Sequence, residues 1–191
     1  SETSTAIFGE ATFAVTDKLK LIAGARYSRE KISYDQRTWG LLTNAAFGVG
    51  TSITGGSVEK PFTPKVSLSY QADENNLFYA TAAKGYRIGG VQGQANPTVC
   101  ANDLAALNIT NTPATYGSDT VWNYEAGAKL RLFDRALQLQ GAIFRVKWNK
   151  PQTPYRLPTC AFQYTTNIGE AVSQGFDLQG NLRVAQGFSI D

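Results

Sequence analysis

A two-residue rhythm between Tyr124 and Leu132 sets the tightest limit on what this chain can build. Tyr124, Ala126, Ala128, Leu130 and Leu132 share one parity; Glu125, Gly127, Lys129 and Arg131 share the other. Successive side chains of a strand point to opposite faces, so the segment is a ribbon with one apolar and one charged side. Helical spacing would scatter the same charges around the axis. Phe133-Asp134-Arg135-Ala136 reads as a tight polar turn, and Leu137-Gln138-Leu139-Gln140 resumes the alternation. An antiparallel hairpin is expected, oily outside and polar inside.

The same rhythm runs through most of the chain. Ile7, Gly9, Ala11, Phe13 and Val15 oppose Phe8, Glu10, Thr12 and Ala14, and Leu21, Ala23, Ala25 and Tyr27 alternate with Ile22, Gly24, Arg26 and Ser28. Later strands are expected around Val66–Tyr70, over Leu77–Arg87, and over Gly175–Val184. Connections alternate between short and long, the long ones being about 35–60, 88–119 and 151–166. That asymmetry belongs to outer-membrane barrels, with short turns at one rim and long loops at the other. Several strands also approach a dozen residues, and roughly 9–11 tilted residues cross a bilayer. No run of 18 apolar residues exists, so strands must do the crossing, and lipid admits strands only in closed barrels. One phase is ambiguous. Phe144, Val146 and Trp148 lie on the opposite parity to Leu137 and Leu139, which calls for a bulge near Gly141-Ala142 or a change of face above the lipid.

Composition narrows function mainly by exclusion. The 191 residues contain no histidine, which removes Ser-His-Asp triads, Cys-His nucleophiles and nearly every catalytic zinc site. A net charge of +3 is too mild to imply nucleic acid. No enzyme activity, resident metal or cofactor is expected. Cys100 and Cys160 are the two cysteines; a disulfide between surface loops is preferred over two free thiols, and would need an oxidising compartment. Ser1–Thr5 resembles no signal peptide and the chain stops at the start of a strand, so a fragment is expected.

Four stretches in order carry a family resemblance: Phe8–Thr12 with Leu19–Ser28; Leu77–Gly90; Tyr124–Lys129 with Ala142-Ile143-Phe144 and Trp148; and Asn167–Leu178. Together the sequence resembles the β-barrel of TonB-dependent outer-membrane receptors. The resemblance implies an all-β, antiparallel transmembrane barrel segment of about eight strands from a barrel of about 22. Residues 1–191 would be part of that barrel domain, with no plug domain among them, in the outer membrane of a Gram-negative bacterium. It implies active import of a ferric siderophore or similar scarce nutrient (corrinoids and oligosaccharides being other cargo) with TonB-supplied energy. Its partners would be the lipid bilayer, the protein's own plug and, through the plug, the TonB complex. The plug, the TonB box and the closing aromatic strand are not in this stretch, and Lys147 and Lys150 stand where acidic residues are common in the family.

By the same comparison Arg26, Glu30, Lys65, Glu125, Lys129, Asp177 and Arg183 would line the lumen wall. Trp39, Arg87, Tyr116, Tyr155 and Arg156 would contact substrate from the loops, because guanidinium and aromatic planes suit anionic or catecholate chelates. Trp122, Tyr27 and Tyr86 fit an interfacial girdle. Two other classes compete: a self-contained eight-stranded anchor or adhesion barrel, which needs its first and last strands to pair, and a soluble β-sandwich, which needs a second layer.

Overall fold

The computed structural model describes residues 1–38, 51–185 and 188–190. In chain order the elements are β1 (Glu2–Ala14), β2 (Leu19–Thr38), β3 (Thr51–Glu59), β4 (Phe62–Gln71), β5 (Asn76–Arg87) and β6 (Gly90–Val91). The short helix α1 (Ala101–Ala106) and β7 (Thr115–Tyr116) precede β8 (Asp119–Leu132) and β9 (Leu137–Asn149). Then come β10 (Gln152–Arg156), β11 (Gln163–Asn167), β12 (Glu170–Ala185) and β13 (Phe188–Ile190).

One antiparallel sheet dominates, in the order β1-β2-β4-β5-β8-β9-β12-β13, with β3 also paired to β2. Two small two-stranded sheets, β6-β7 and β10-β11, lie within the long connections. The order follows the chain, with β3 and β4 succeeding one another along β2. Among the described residues the short turns β1-β2, β4-β5 and β8-β9 fall at one end, and the long excursions β5-β8 and β9-β12 at the other. The two edges are β1 and β13, which do not pair with each other. That open path contradicts a self-contained eight-stranded barrel. Among the described residues neither small sheet forms the second layer that a sandwich needs.

Register converts the parity in the sequence into continuous rows. Leu68 pairs with Ala80, Ala80 with Ala126, Ala126 with Ile143 and Ile143 with Phe176. One row over, Val66, Ala82, Tyr124, Arg145 and Gln174 are matched in the same way. The apolar face is bare: Phe176 is 79% exposed, Leu178 70% and Ile143 65%. Water-soluble monomers rarely leave so continuous an apolar surface uncovered. No helix among the described residues is long and apolar enough to cross a membrane.

One expectation is corrected and one open alternative is decided. Much of 35–60 is strand rather than loop, because β2 runs to Thr38 and pairs with β3 from Glu30–Glu59 upward. Gly55 in β3 makes room for the Tyr34 ring, whose hydroxyl would lie 2.7 Å from an added Cβ. Of the two readings offered for β9, the structure agrees with the change of face, because the strand has no bulge. Leu137 to Asn149 pairs in unbroken register with both β8 and β12. Phe144, Val146 and Trp148 therefore stay on the charged face, and Arg145 and Lys147 emerge on the apolar one. The face changes character at its upper end; the strand does not kink.

Buried apolar side chains occur away from this sheet. Among the described residues Ala95, Cys100, Leu104, Leu157, Cys160 and Tyr164 form the hydrophobic core, with Ile109 and Phe162 packed against it. All eight belong to the two later long connections, 88–118 and 150–169.

Candidate functional site

Those two connections fold onto one another as a cap over the upper ends of β5, β8 and β9. Its foundation is Asp119, only 3% exposed. Its carboxylate accepts the Arg87 guanidinium at 2.6 Å and the Gln152 backbone N–H at 3.0 Å. The Arg87 guanidinium also lies 5.4 Å above the Trp148 ring. Gln152 reaches across with its amide, donating to the carbonyls of Ile88 at 2.7 Å and Gly117 at 3.0 Å. Asn167 accepts from the Gly117 N–H at 2.7 Å and donates to the Lys150 carbonyl at 2.9 Å. Each root of one connection is thus tied to a root of the other.

The ties continue upward. The Gln92 amide completes a two-way exchange with the Thr165 backbone, donating to its carbonyl at 2.7 Å and accepting its N–H. The buried Thr112 hydroxyl accepts the Ala95 N–H at 2.8 Å. At the top Cys100 and Cys160 form a disulfide, their Cα atoms 5.3 Å apart. Beside it the buried Asp103 carboxylate accepts the N–H groups of Cys160 at 2.8 Å and Thr159 at 3.1 Å. Burial alone would raise the Asp103 carboxyl. The hydrogen bonds from Cys160 and Thr159 outweigh it and hold the group below the usual carboxylate range.

Four of the five residues expected at the substrate are placed by this architecture; Trp39 lies outside the described residues. Arg87 sits at the foundation with half its side chain exposed. Tyr116 pairs with Gly90 in the β6-β7 ribbon and lays its ring over that glycine. Tyr155 and Arg156 are on β10, where Tyr155 meets the buried Tyr164 edge-on at 5.6 Å. Tyr155 and Arg156 are both exposed. No hydrogen bond, ion pair or ring contact among the described residues joins any two of the four.

Arg26, Glu30, Lys65, Glu125, Lys129, Asp177 and Arg183 all lie on the charged face by register. Several have partners that no local pattern announces. Lys65 meets Glu10 at 3.1 Å. Glu30, 3% exposed, accepts from the hydroxyls of Tyr86 at 2.7 Å and Ser4 at 3.0 Å. Glu125 accepts from Tyr79 at 2.7 Å. Tyr86 shares the register parity of Ala80 and Ala82 on the apolar face, while its hydroxyl reaches Glu30. Trp122 and Tyr124 stack on the apolar face, 5.9 Å apart. Near the short turns the charged face forms a polar hollow of about 810 Å³, lined by Lys129, Arg131, Gln138, Gln140, Gln179 and Asn181 among others. The cap residues Asp103, Asp119, Gln92 and Gln152 had no signal in the sequence, since each acts on partners tens of residues away.

The whole chain, residues 1–191, matches the family described as TonB dependent receptor-like, beta-barrel. It is 26% identical over 169 residues to the metal-pseudopaline receptor of Pseudomonas aeruginosa, covering 86% of this chain and 20% of that protein. Against the pesticin receptor of Yersinia pestis it is 25% identical over 186 residues, covering 97% and 24%. In fold it is similar to the ferric yersiniabactin uptake receptor of Yersinia pestis, with TM-score 0.72 and 20% identity over 98% of this chain and 25% of that one. A copper transporter gives the same TM-score at 15% identity, over 97% and 27%. The chain thus spans about a fifth to a quarter of its relatives' length. It belongs to the TonB-dependent receptor family, as a segment of an outer-membrane β-barrel of Gram-negative bacteria.

Proposed function

We propose, starting from that membership, that the protein containing this segment captures a scarce nutrient outside the cell and imports it, a ferric siderophore or similar metal chelate being the cargo. The observation that supports this most is sequence similarity to a receptor named for a metal-pseudopaline complex, spread over most of the chain. The physics of the segment is compatible. Its apolar face meets lipid, its charged face lines the lumen, and its cap holds aromatic and cationic side chains in fixed places above the opening.

In this reading the exposed Arg156 and Tyr155 offer charge and a π-face to an anionic chelate. Arg87 supplies positive charge at the mouth while Asp119 and Trp148 keep it in position. Tyr116 lines the approach, and Trp39 belongs to the same proposed set. The charged face, including the polar hollow near the short turns, would meet the protein's own plug, through which the TonB complex would deliver energy. The role is transport, with no covalent chemistry.

The test is uptake of labelled ferric chelates by cells carrying or lacking the full-length gene. Loss of uptake of one chelate on deletion, together with its collapse when the proton-motive force is dissipated, is the expected result. Energy-independent uptake, or none that depends on the gene, would overturn the proposal. The paired change Tyr155→Ala and Arg156→Ala is expected to weaken chelate binding about tenfold or more, as loss of aromatic and arginine anchors does.

A further inference from the structure

We infer that the wall holds a side window between β4 and β5, filled by the Tyr86 ring and latched at Glu30. When the ring swings out, water and small polar solutes reach the lumen without passing the cap. Register defines the opening. β4 pairs with β2 as far as Phe62, but with β5 only as far as Lys65, opposite Ala83. Above that pair, 84–87 hold to β8 alone and 62–64 to β2 alone. The next residue of β4 is Pro64, which has no N–H to carry the ladder on. Two neighbouring strands therefore part, while each stays paired on its other side. The Gly89 N–H, donating to Glu59 at 3.4 Å, bounds the gap above.

One side chain occupies this gap. Tyr86 starts from the parity of the apolar face, yet its hydroxyl donates to the Glu30 carboxylate at 2.7 Å and lies 3.1 Å from the Ser28 hydroxyl. Glu30 and Ser28 share the parity of Arg26 on the charged face, so the ring passes between the strands to meet them. Both are buried behind it, Ser28 at 1% and Glu30 at 3% exposure. Ser4 holds Glu30 from β1 at 3.0 Å. On the outer side a cavity of about 280 Å³ leads to the ring, lined by Glu59, Lys60, Phe62, Lys84, Ser118 and Thr120. Its lining carries both signs of charge, so it sorts solutes by size and polarity rather than by charge.

The height of the gap decides what it opens onto. Its sill is the row of Lys65, Ala83 and Asn123, and in the row above Lys84 and Lys147 flank Trp122. Charged side chains and unpaired backbone are both costly in hydrocarbon and both tolerated in water. The window therefore faces water above the lipid, at the rim of the long connections. A wall serving only as a barrier would continue the ladder here. In its place stands one ring on hydrogen bonds, and rotating a side chain is far faster than separating paired strands.

The experiment uses the full-length receptor in intact cells, with Ala83→Cys placing a thiol on the lumen face at the sill. Labelling from outside is timed with a small cationic methanethiosulfonate, its small anionic counterpart, and a maleimide on a long polyethylene glycol. Tyr86→Phe keeps the ring and removes the hydroxyl's hydrogen bonds, and should speed both small reagents by about fivefold. Tyr86→Ala should speed them further. The bulky maleimide, and protease cleavage of the cap, should be unchanged in both. Small-reagent labelling at the parent rate in both variants would overturn the inference. Equal acceleration of all three reagents would do so too, since it means the whole mouth has loosened. Should Tyr86→Ala fail to fold, the Tyr86→Phe rates decide alone. Chelate uptake is not the readout, so the result stands apart from the cargo proposed above.

Discussion

At the scale of single residues, two glycines separate a packing requirement from an idle position. Gly127 sits beneath the Tyr79 ring and against the Gly141 carbonyl, and an added Cβ would lie 2.7 Å from both. Gly9 has nothing within 4 Å. Gly127→Ala is therefore expected to destabilise the barrel by about 1–3 kcal/mol, and Gly9→Ala to change it by less than about 0.5 kcal/mol, measured by urea unfolding in lipid. The alternation in the sequence shows which face Gly127 occupies but not which ring covers it, because that depends on register with a strand some fifty residues away.

Asp103 carries a pH signature. Its folded pKa lies below the ordinary carboxylate value, so its stabilising effect is complete above the unfolded value of about 3.9 and disappears as pH falls through the folded one. Protection of the Thr159 and Cys160 amides, relative to their intrinsic exchange rates, is expected to fall on acidification through that range. In Asp103→Asn the acid-dependent part of that change should be absent. Unchanged pH dependence in the variant would mean another group holds the cap.

At the scale of elements, the wall strands and the cap differ in how far sequence reveals them. The strands were legible because lipid on one side and water on the other enforce a period of two over many residues. The phase change along β9 was visible too, but its cause was not. Without the paired rows, an inverted parity looks the same for a bulge and for a straight strand whose apolar side has left the lipid. The cap was largely illegible, since its order comes from side-chain amides, one carboxylate and one disulfide joining distant segments. Polar, proline-containing sequence without periodicity simply reads as loop.

The cap also makes a separable prediction. Cys100 and Cys160 are 60 residues apart, and chain-entropy arguments allow about 4 kcal/mol for closing such a loop. That is an upper figure, because Asp119, Gln152 and Asn167 already hold the two connections together at their roots. Replacing both cysteines by serine is expected to open 151–166 to protease while the barrel's heat-modifiable migration persists. Simultaneous loss of both would show that cap and wall form one cooperative unit.

At the scale of the whole molecule, burial is inverted relative to a globular protein. The main sheet keeps its apolar residues bare and the hydrophobic core lies in the connections, an arrangement that makes sense only with lipid as the missing layer. A charge placed in the middle of that layer should be costly: Leu178→Arg, in the row of Gly141 and Ala128, is expected to destabilise by about 2–4 kcal/mol, measured by folding titration into vesicles. The most direct test of the central claim is a scan of single reporter-labelled positions along β8, from Tyr124 to Leu132, in the full-length receptor reconstituted with brominated lipid. Quenching at 124, 126, 128, 130 and 132, with none at 125, 127, 129 and 131, is the result expected. Quenching on the odd positions, or on neither set, would contradict a wall with lipid on one side and the lumen on the other.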